Sequence, residues 1–559
     1  MKQTIDMQRR KLLKYTGISV AAAASYPTFL SAKSAGMKNQ PTPGFNPDVE
    51  IELKQEAVAI PIFDGKRTRV WKIYGKILKG PKSALENLPG TYLAPTINLR
   101  KGQKVRIYLR NNLPAESILH WHGLHVPADM DGNPMYAVNH GETYVYEFEI
   151  LNRAGTYWYH AHTHGVTAKQ VYSGLAGLFI VSDEEESALG LPDGQYDIPL
   201  VIQDRSFDDQ NQLVYVNHMM QRMQGFLGDQ IFVNGEPDFT LSVETRAYRL
   251  RLLNGSNSRI YKLAWDDGSP FTVIGVDGGL LEHPEQYPYL MLGPAERREI
   301  WVDFSGHKVG TEVTLRSIPF AASSHGMMGG GMMGEHRGGM MGRGMMGGHR
   351  GGMMGGGMMG GHRGGMMGQH MMSGGGLPLG GDYRLFKVKV VKESHVRDQL
   401  PKRLANIKPL EYGEAANADH PRRITLSMRH MSALLNGRSY KMNDVRADEI
   451  IPLNSLQVIE FDNGFHGGMH GMMAMPHPMH LHGEQFQIVK REVNTRHRQD
   501  YETVEAGLVD SGWKDTVLVM PGEKVTLLKP FNDFKGLFMY HCHNLEHEDL
   551  GMMRDFLIK

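Results

Sequence analysis

At 559 residues the chain is too long for a single hydrophobic core and suggests about three domains of roughly 150 residues each. A formal net charge of +1 implies neither a nucleic-acid nor a membrane-surface partner, and a single cysteine excludes any disulfide within the chain. Glycine (66), methionine (37) and histidine (27) are abundant, and most of that excess is local.

The N-terminus reads as an export signal. Arg9-Arg10-Lys11-Leu12-Leu13-Lys14 precedes a mildly apolar, Ala-rich run from Ile18 to Ala24, and small residues follow from Ser31 to Gly36. Residues 1–36 are therefore expected to be a twin-arginine signal peptide, which places the mature protein in the periplasm. The apolar run is much shorter than the roughly 20 residues that a spanning helix needs, so no membrane span is expected. In an oxidising compartment a lone cysteine is expected to be protected, and a bound metal would protect it.

From Val49 to about Asp183 short β-rich runs alternate with turn residues: Val70 to Tyr74, Lys104 to Leu109, Tyr144 to Glu149, Leu178 to Val181. A second set runs from Tyr196 to about Val391 and includes Tyr248 to Leu253 and Glu299 to Phe304. A third begins near Arg423, with Leu456 to Phe461 and Lys524 to Leu528. Period-two alternation with frequent turns, and no long stretch at helical period, predicts an all-β protein of three antiparallel β-sandwich domains. The domains are expected at 45–190, 191–395 and 396–559.

The second domain is interrupted at 320–380 by a low-complexity insertion of Met-Met pairs in glycine, such as Gly326-Met327-Met328-Gly329, with His-Arg-Gly recurring at His336, His349 and His362. Glycine loses the most backbone entropy on folding and brings no packing surface, so this segment is expected to be a disordered loop. Methionine usually fills gaps in cores, but here there is no core to fill. Thioether sulfur is a soft ligand that selects Cu(I), so the segment is expected to bind labile Cu(I); a plain tether is the other reading.

Four histidine clusters follow one pattern: His120-Trp121-His122, His160-Ala161-His162-Thr163-His164, His477-Pro478-Met479-His480-Leu481-His482, and His541-Cys542-His543. On a strand, His-x-His places both imidazoles on one face about 7 Å apart. Two clusters lie in the first domain and two in the third, which implies a shared metal site where those domains meet. In the last cluster His541 and His543 point to one face and Cys542 to the other, so one tripeptide can touch two metal centres. His547 and Met552 lie close enough in sequence to fold back on Cys542, and with one more imidazole they complete a Cys-His-His-Met blue-copper set. A structural zinc site, closed by four ligands, would not use eight imidazoles beside a separate Cys-His-Met set.

From about residue 50 to its end the sequence resembles the three-domain multicopper oxidases of cupredoxin-like, Greek-key fold, which include bacterial laccases and periplasmic cuprous oxidases of copper resistance. The resemblance implies four copper ions. His477, Cys542, His547 and Met552 would hold the type 1 copper, and His120 and His480 the type 2. His122, His160, His162, His482, His541 and His543 would hold the type 3 pair, and His164 is left over. Dioxygen would be the acceptor, reduced to water by four electrons that pass from the type 1 copper through Cys542 to His541 and His543. Glu548 and Asp131 occupy positions that deliver protons in similar oxidases. Methionine as axial ligand should give a low type 1 potential, which suits easily oxidised donors. A further Met/His stretch, His466 to Met475, runs into His477 and would crowd the type 1 entrance with soft ligands. In cuprous oxidases of the family a Met-rich insert sits in the third domain, whereas the long insert here belongs to the second. The expected function is Cu(I) oxidation in copper tolerance, with phenols and aromatic amines as secondary substrates, by a monomeric enzyme. The alternatives are a general laccase or ferroxidase, and, from another class, a copper-sequestering protein.

Overall fold

The computed structural model describes residues 40–216, 218–321, 377–429, 432–464 and 475–559. The export signal, nearly all of the Met/Gly insertion and the stretch from His466 to Ala474 lie outside the described residues.

Alternation does what the sequence leads one to expect of it. The strand Val49–Ile60 buries Val49, Ile51 and Leu53 on one face while the glutamates between them are partly exposed. Among the described residues, strands built in this way form six sheets, two for each of three sandwich units. In the first unit a four-stranded sheet carrying Val49–Ile60 and Lys104–Asn111 faces a five-stranded sheet that contains Leu119–His122 and Gly155–Ala161. The second unit pairs a seven-stranded with a five-stranded sheet, and the third pairs two of five strands. Each unit closes over its own apolar cluster, centred on residues such as Trp121 and Tyr146, Leu250 and Ile300, and Ile459 and Leu527.

The sheets are mixed rather than antiparallel throughout. Val49–Ile60 runs parallel to Lys104–Asn111, Asp197–Arg205 to Ala247–Asn254, and Arg422–Arg429 to Ser455–Asp462, and each facing sheet also contains one parallel pair. Alternation reports which face of a strand is buried and carries no information on its direction. The direction follows from connections that cross between the two sheets of a unit.

Two strand pairs position the histidines. Leu119–His122 lies antiparallel to Gly155–Ala161 with His120 opposite His160, and His477–Leu481 lies antiparallel to Gly536–Cys542 with His480 opposite His541. In the second unit Ser317 pairs with Tyr383, so the insertion leaves and rejoins the fold at neighbouring strand ends. No helix among the described residues is long and apolar enough to cross a membrane.

Candidate metal centre

Cys542 is fully buried at the end of the strand Gly536–Cys542. Its Sγ lies 3.4 Å from His477 Nδ1 and 3.8 Å from His547 Nδ1. His547 belongs to the short helix Leu545–Asp549, which Asn544 caps by accepting the His547 N–H. Met552 is buried in the same apolar cluster; its N–H donates to the His547 carbonyl (2.9 Å) and its carbonyl accepts the Cys542 N–H (3.0 Å). Burial pushes the Cys542 thiol up. A thiolate at this depth needs a cation beside it.

On the other face of the tripeptide, eight imidazoles meet in the seam between the first and third units, all of them buried. His120 stacks on His482 at 3.7 Å between centroids and His122 on His480 at 3.6 Å, so both stacked pairs cross the seam. Several groups have ligand atoms close enough to share an ion, among them His120 with His480 and His482, His162 with His482 and His541, His122 with His160 and His543, and His122 with His480 and Asp515.

The hydrogen bonds on the far side of these rings decide whether a metal fits. His120 Nδ1 donates to the Asp131 carbonyl (2.6 Å), His480 Nδ1 to the Asp515 carbonyl (2.8 Å) and His482 Nδ1 to Asp131 Oδ2 (2.6 Å). Each of these bonds leaves an Nε2 lone pair facing inward. Inward nitrogens then approach one another with no proton between them, His120 and His480 at 3.3 Å and His482 and His541, whose Nδ1 faces Glu548, at 3.1 Å, while His543 and His160 approach at 3.4 Å. Burial holds His122, His160, His480, His482 and His543 far below the ordinary imidazole pKa, and His162 near 3, so the rings are neutral ligands at neutral pH. Lone pairs facing each other in a buried seam repel; a cation between them turns that repulsion into coordination. His122 is the reverse of its neighbours. Its Nε2 donates to Asp515 Oδ1 at 3.0 Å, and its Nδ1 faces His160 at 3.4 Å.

Three carboxylates support the seam. Glu548 Oε2 lies 3.1 Å from His541 Nδ1 and Oε1 lies 3.8 Å from His162 Nε2. Burial alone would raise the Glu548 pKa, but His541, the first of its neighbours, outweighs it and holds the carboxyl below its ordinary range. Asp131 is buried, which raises its pKa, and it bonds to rings from both units. Asp515 is gripped by the buried Arg297 guanidinium through both oxygens, so the second unit holds a residue of the third that in turn orients His122 of the first. Gly123 makes room for this. Its φ is +87°, and a Cβ there would stand 2.4 Å from Asp515 Oδ2 and 2.9 Å from Arg297 Nη2.

Eleven of the twelve residues read from the sequence as ligands come together through their ligand atoms at these two sites, Met552 lies in the apolar cluster that holds Cys542, and Glu548 and Asp131 contact the imidazoles directly. His164 does not join them; it is exposed, with its ring 5.2 Å from that of Tyr440. Sequence reasoning missed Asp515, Arg297 and Met223, whose backbone carbonyl accepts His547 Nε2–H at 3.0 Å. Lys514-Asp515-Thr516 carries no ligand-like spacing that could have revealed it.

A buried cysteine–histidine–methionine group, joined by one tripeptide to a multi-histidine seam on three β-sandwiches, defines a copper-dependent oxidase. The chain belongs to the multicopper oxidase family: family models of that description match residues 70–186 and 416–559. It is similar over its whole fold to the McoA multicopper oxidase of the hyperthermophile Aquifex aeolicus, at 31% identity and a TM-score of 0.69, covering 92% of this chain and 97% of that one. A multicopper oxidase from Campylobacter jejuni described as a metallo-oxidase superposes with a TM-score of 0.67 at 26% identity, covering 94% of this chain and 93% of that one. The laccase of Bacillus stratosphericus is 28% identical over 85% of this chain and 90% of its own length.

Proposed function

We propose that this multicopper oxidase is a periplasmic cuprous oxidase that works in copper tolerance and oxidises phenols and aromatic amines as secondary substrates. His477, Cys542, His547 and Met552 hold the type 1 copper, His120 and His480 the type 2 copper, and His122, His160, His162, His482, His541 and His543 the type 3 pair. These four coppers supply one-electron uptake at Cys542 and four-electron reduction of dioxygen to water in the seam.

The chain's own residues set the rest. The observation that carries oxidase coupling is the tripeptide His541-Cys542-His543, whose thiol lies in one buried group and whose imidazoles lie in the other. Glu548 holds a proton-transfer position between His541 and His162, and Asp131 occupies the corresponding place beneath His120 and His482. The preference for a small donor rests on His547: it is completely buried and its outer nitrogen is covered by the Met223 carbonyl, so a bulky phenol cannot lay its ring against that imidazole edge. The metallo-oxidase from Campylobacter jejuni is a relative consistent with this reading.

Steady-state oxygen consumption by copper-loaded protein, with Cu(I), Fe(II) and a phenol compared as donors, tests the proposal. Cu(I) is expected to give the highest kcat/KM. A phenol or Fe(II) equal to or better than Cu(I) would make the protein a general laccase or ferroxidase, and copper uptake without oxygen consumption would make it a sequestering protein.

A further inference from the structure

Between the strands Asp197–Arg205 and Gln230–Val233 the second unit sends out an excursion that leaves its own sandwich and lies on the helix Leu545–Asp549 of the third. It is fastened there at several points. Tyr215 Oη donates to Glu546 Oε1 at 2.7 Å and the Phe226 N–H donates to Glu546 Oε2 at 3.1 Å. Gly225, with φ +90°, passes so close that a Cβ would stand 2.5 Å from Asn544 Nδ2 and from the Ser258 side chain. Between these anchors runs the short helix Met219–Gln224, and it is the carbonyl of its Met223 that accepts His547 Nε2–H.

The outward side of this helix is unusual for the residues it carries. Met219 is 40% exposed and Met220 is 49% exposed, His218 beside them is exposed, and Met223 is 8% exposed beneath. Residues three and four apart share a helix face, so Met219 and Met220 both neighbour Met223. Thioethers that fill core gaps lie inside; this pair stands in solvent directly over a ligand of the Cys542 group.

We propose that the Met219–Gln224 helix is the docking site for substrate Cu(I), bound by the thioethers of Met219, Met220 and Met223 with the His218 imidazole alongside, and that its electron leaves through the Met223 carbonyl–His547 hydrogen bond. This rests on the cuprous oxidase reading. Thioethers select Cu(I). In the step one electron passes inward, Cu(I) becomes Cu(II), and no proton moves; dioxygen is the final oxidant. Cu(II) is the harder ion, binds thioether sulfur poorly and departs, which frees the site for the next Cu(I).

Ag(I) is a soft, redox-inert ion of the same charge and serves as the binding probe. Full-length, copper-loaded protein labelled at its methionine methyls is titrated with Ag(I) by NMR, and kcat/KM for Cu(I) is measured for parent, the double variant Met219→Leu/Met220→Leu and the control Met442→Leu, which alters a methionine exposed elsewhere on the third unit. The proposal expects Ag(I) to shift the Met219, Met220 and Met223 methyls together, and the double variant to lose the Met223 shift and about tenfold or more of kcat/KM for Cu(I), the scale on which weakened ligand shells lower metal affinity. The control should match the parent. If Ag(I) leaves those methyls unmoved, or the double variant oxidises Cu(I) as the parent does, the docking site is wrong while the cuprous oxidase reading stands. If the parent does not oxidise Cu(I) at all, both fall.

Discussion

The group around Cys542 and the eight-imidazole seam share a tripeptide and a side-chain chemistry, yet they are assembled in different ways. His477, Cys542, His547 and Met552 all come from the last unit and sit in or against its apolar core, with a single backbone carbonyl from elsewhere on His547. The seam takes four imidazoles from the first and four from the third unit and is steadied by Asp131, by Glu548, and by an Asp515 that the second unit clamps through Arg297. The first group is a local product of one sandwich. The second exists only when three sandwiches are docked, so damage to the docking should disturb the seam before it disturbs the Cys542 group.

The largest effect expected is at the one residue the two groups share through the backbone. Cys542→Ser removes the thiolate that gives a blue site its colour and its electron path, so the variant should lose the intense visible absorption and all oxidase activity while it folds and keeps copper in the seam. Absorption spectra with metal analysis check this; a blue, active variant would falsify the assignment of Cys542.

Glu548→Gln keeps the size and hydrogen bonding of the side chain but cannot carry a proton. Reduction of the Cys542 group by donor should stay fast, while reoxidation by dioxygen should slow about 10²-fold or more, the usual share of a proton-transfer residue. Single-turnover experiments time the two halves separately, and unchanged reoxidation would reduce Glu548 to a structural carboxylate.

Asp515→Asn strikes at the docking itself. It weakens the grip of Arg297 and the orientation of His122, so copper affinity in the seam or turnover should drop about 10- to 100-fold, as with other residues that orient metal-bound histidines. The visible absorption of the Cys542 group should persist. Loss of both signals together would show that the two groups are less separable than their construction indicates.

Asp555 sharpens the contrast among the buried carboxylates. Unlike Glu548 and Asp131 it has no imidazole partner among the described residues; its Oδ1 lacks a hydrogen bond there, and burial raises its pKa to about 7. An acid whose folded pKa lies above its unfolded value of about 3.9 binds its proton more tightly in the folded state, so it lowers stability progressively as pH rises from about 4 to 7. Asp555→Asn should therefore raise Tm at pH 8, and by less at pH 5. Equal shifts at both pH values would show that the carboxylate is not destabilised by burial.

The smallest effect is expected from removing Gly326 to Met372. Since the insertion joins neighbouring strand ends, shortening it should change chiefly the closure entropy of the connection, which is a matter of about a kcal/mol or less. Tm and the copper content of the Cys542 group and the seam should hold. A large loss of either would give the insertion a part in the fold.

Much of this was legible before any coordinates. A histidine separated by one residue from another, on a β-patterned segment, is rare enough that four such clusters and one cysteine name the residues that meet. The sandwiches were legible because alternation records burial, and their strand directions were not, for the same reason. The supporting residues could not be read. Asp515 and His122 lie 393 positions apart, and Met223 lies 324 positions from His547. Arg297 looks in sequence like any arginine on a strand. What orients a ligand is fixed by docking between units, and docking leaves no local pattern.

The central claim is that the Cys542 group and the seam act as one device that gathers single electrons and delivers four to dioxygen. The most direct test is the stoichiometry of oxygen uptake by copper-loaded protein under a one-electron donor, with hydrogen peroxide assayed in the same vessel. The account predicts four donor molecules oxidised per dioxygen and no peroxide released, and two donors per dioxygen with peroxide accumulating, or no uptake at all, would contradict it.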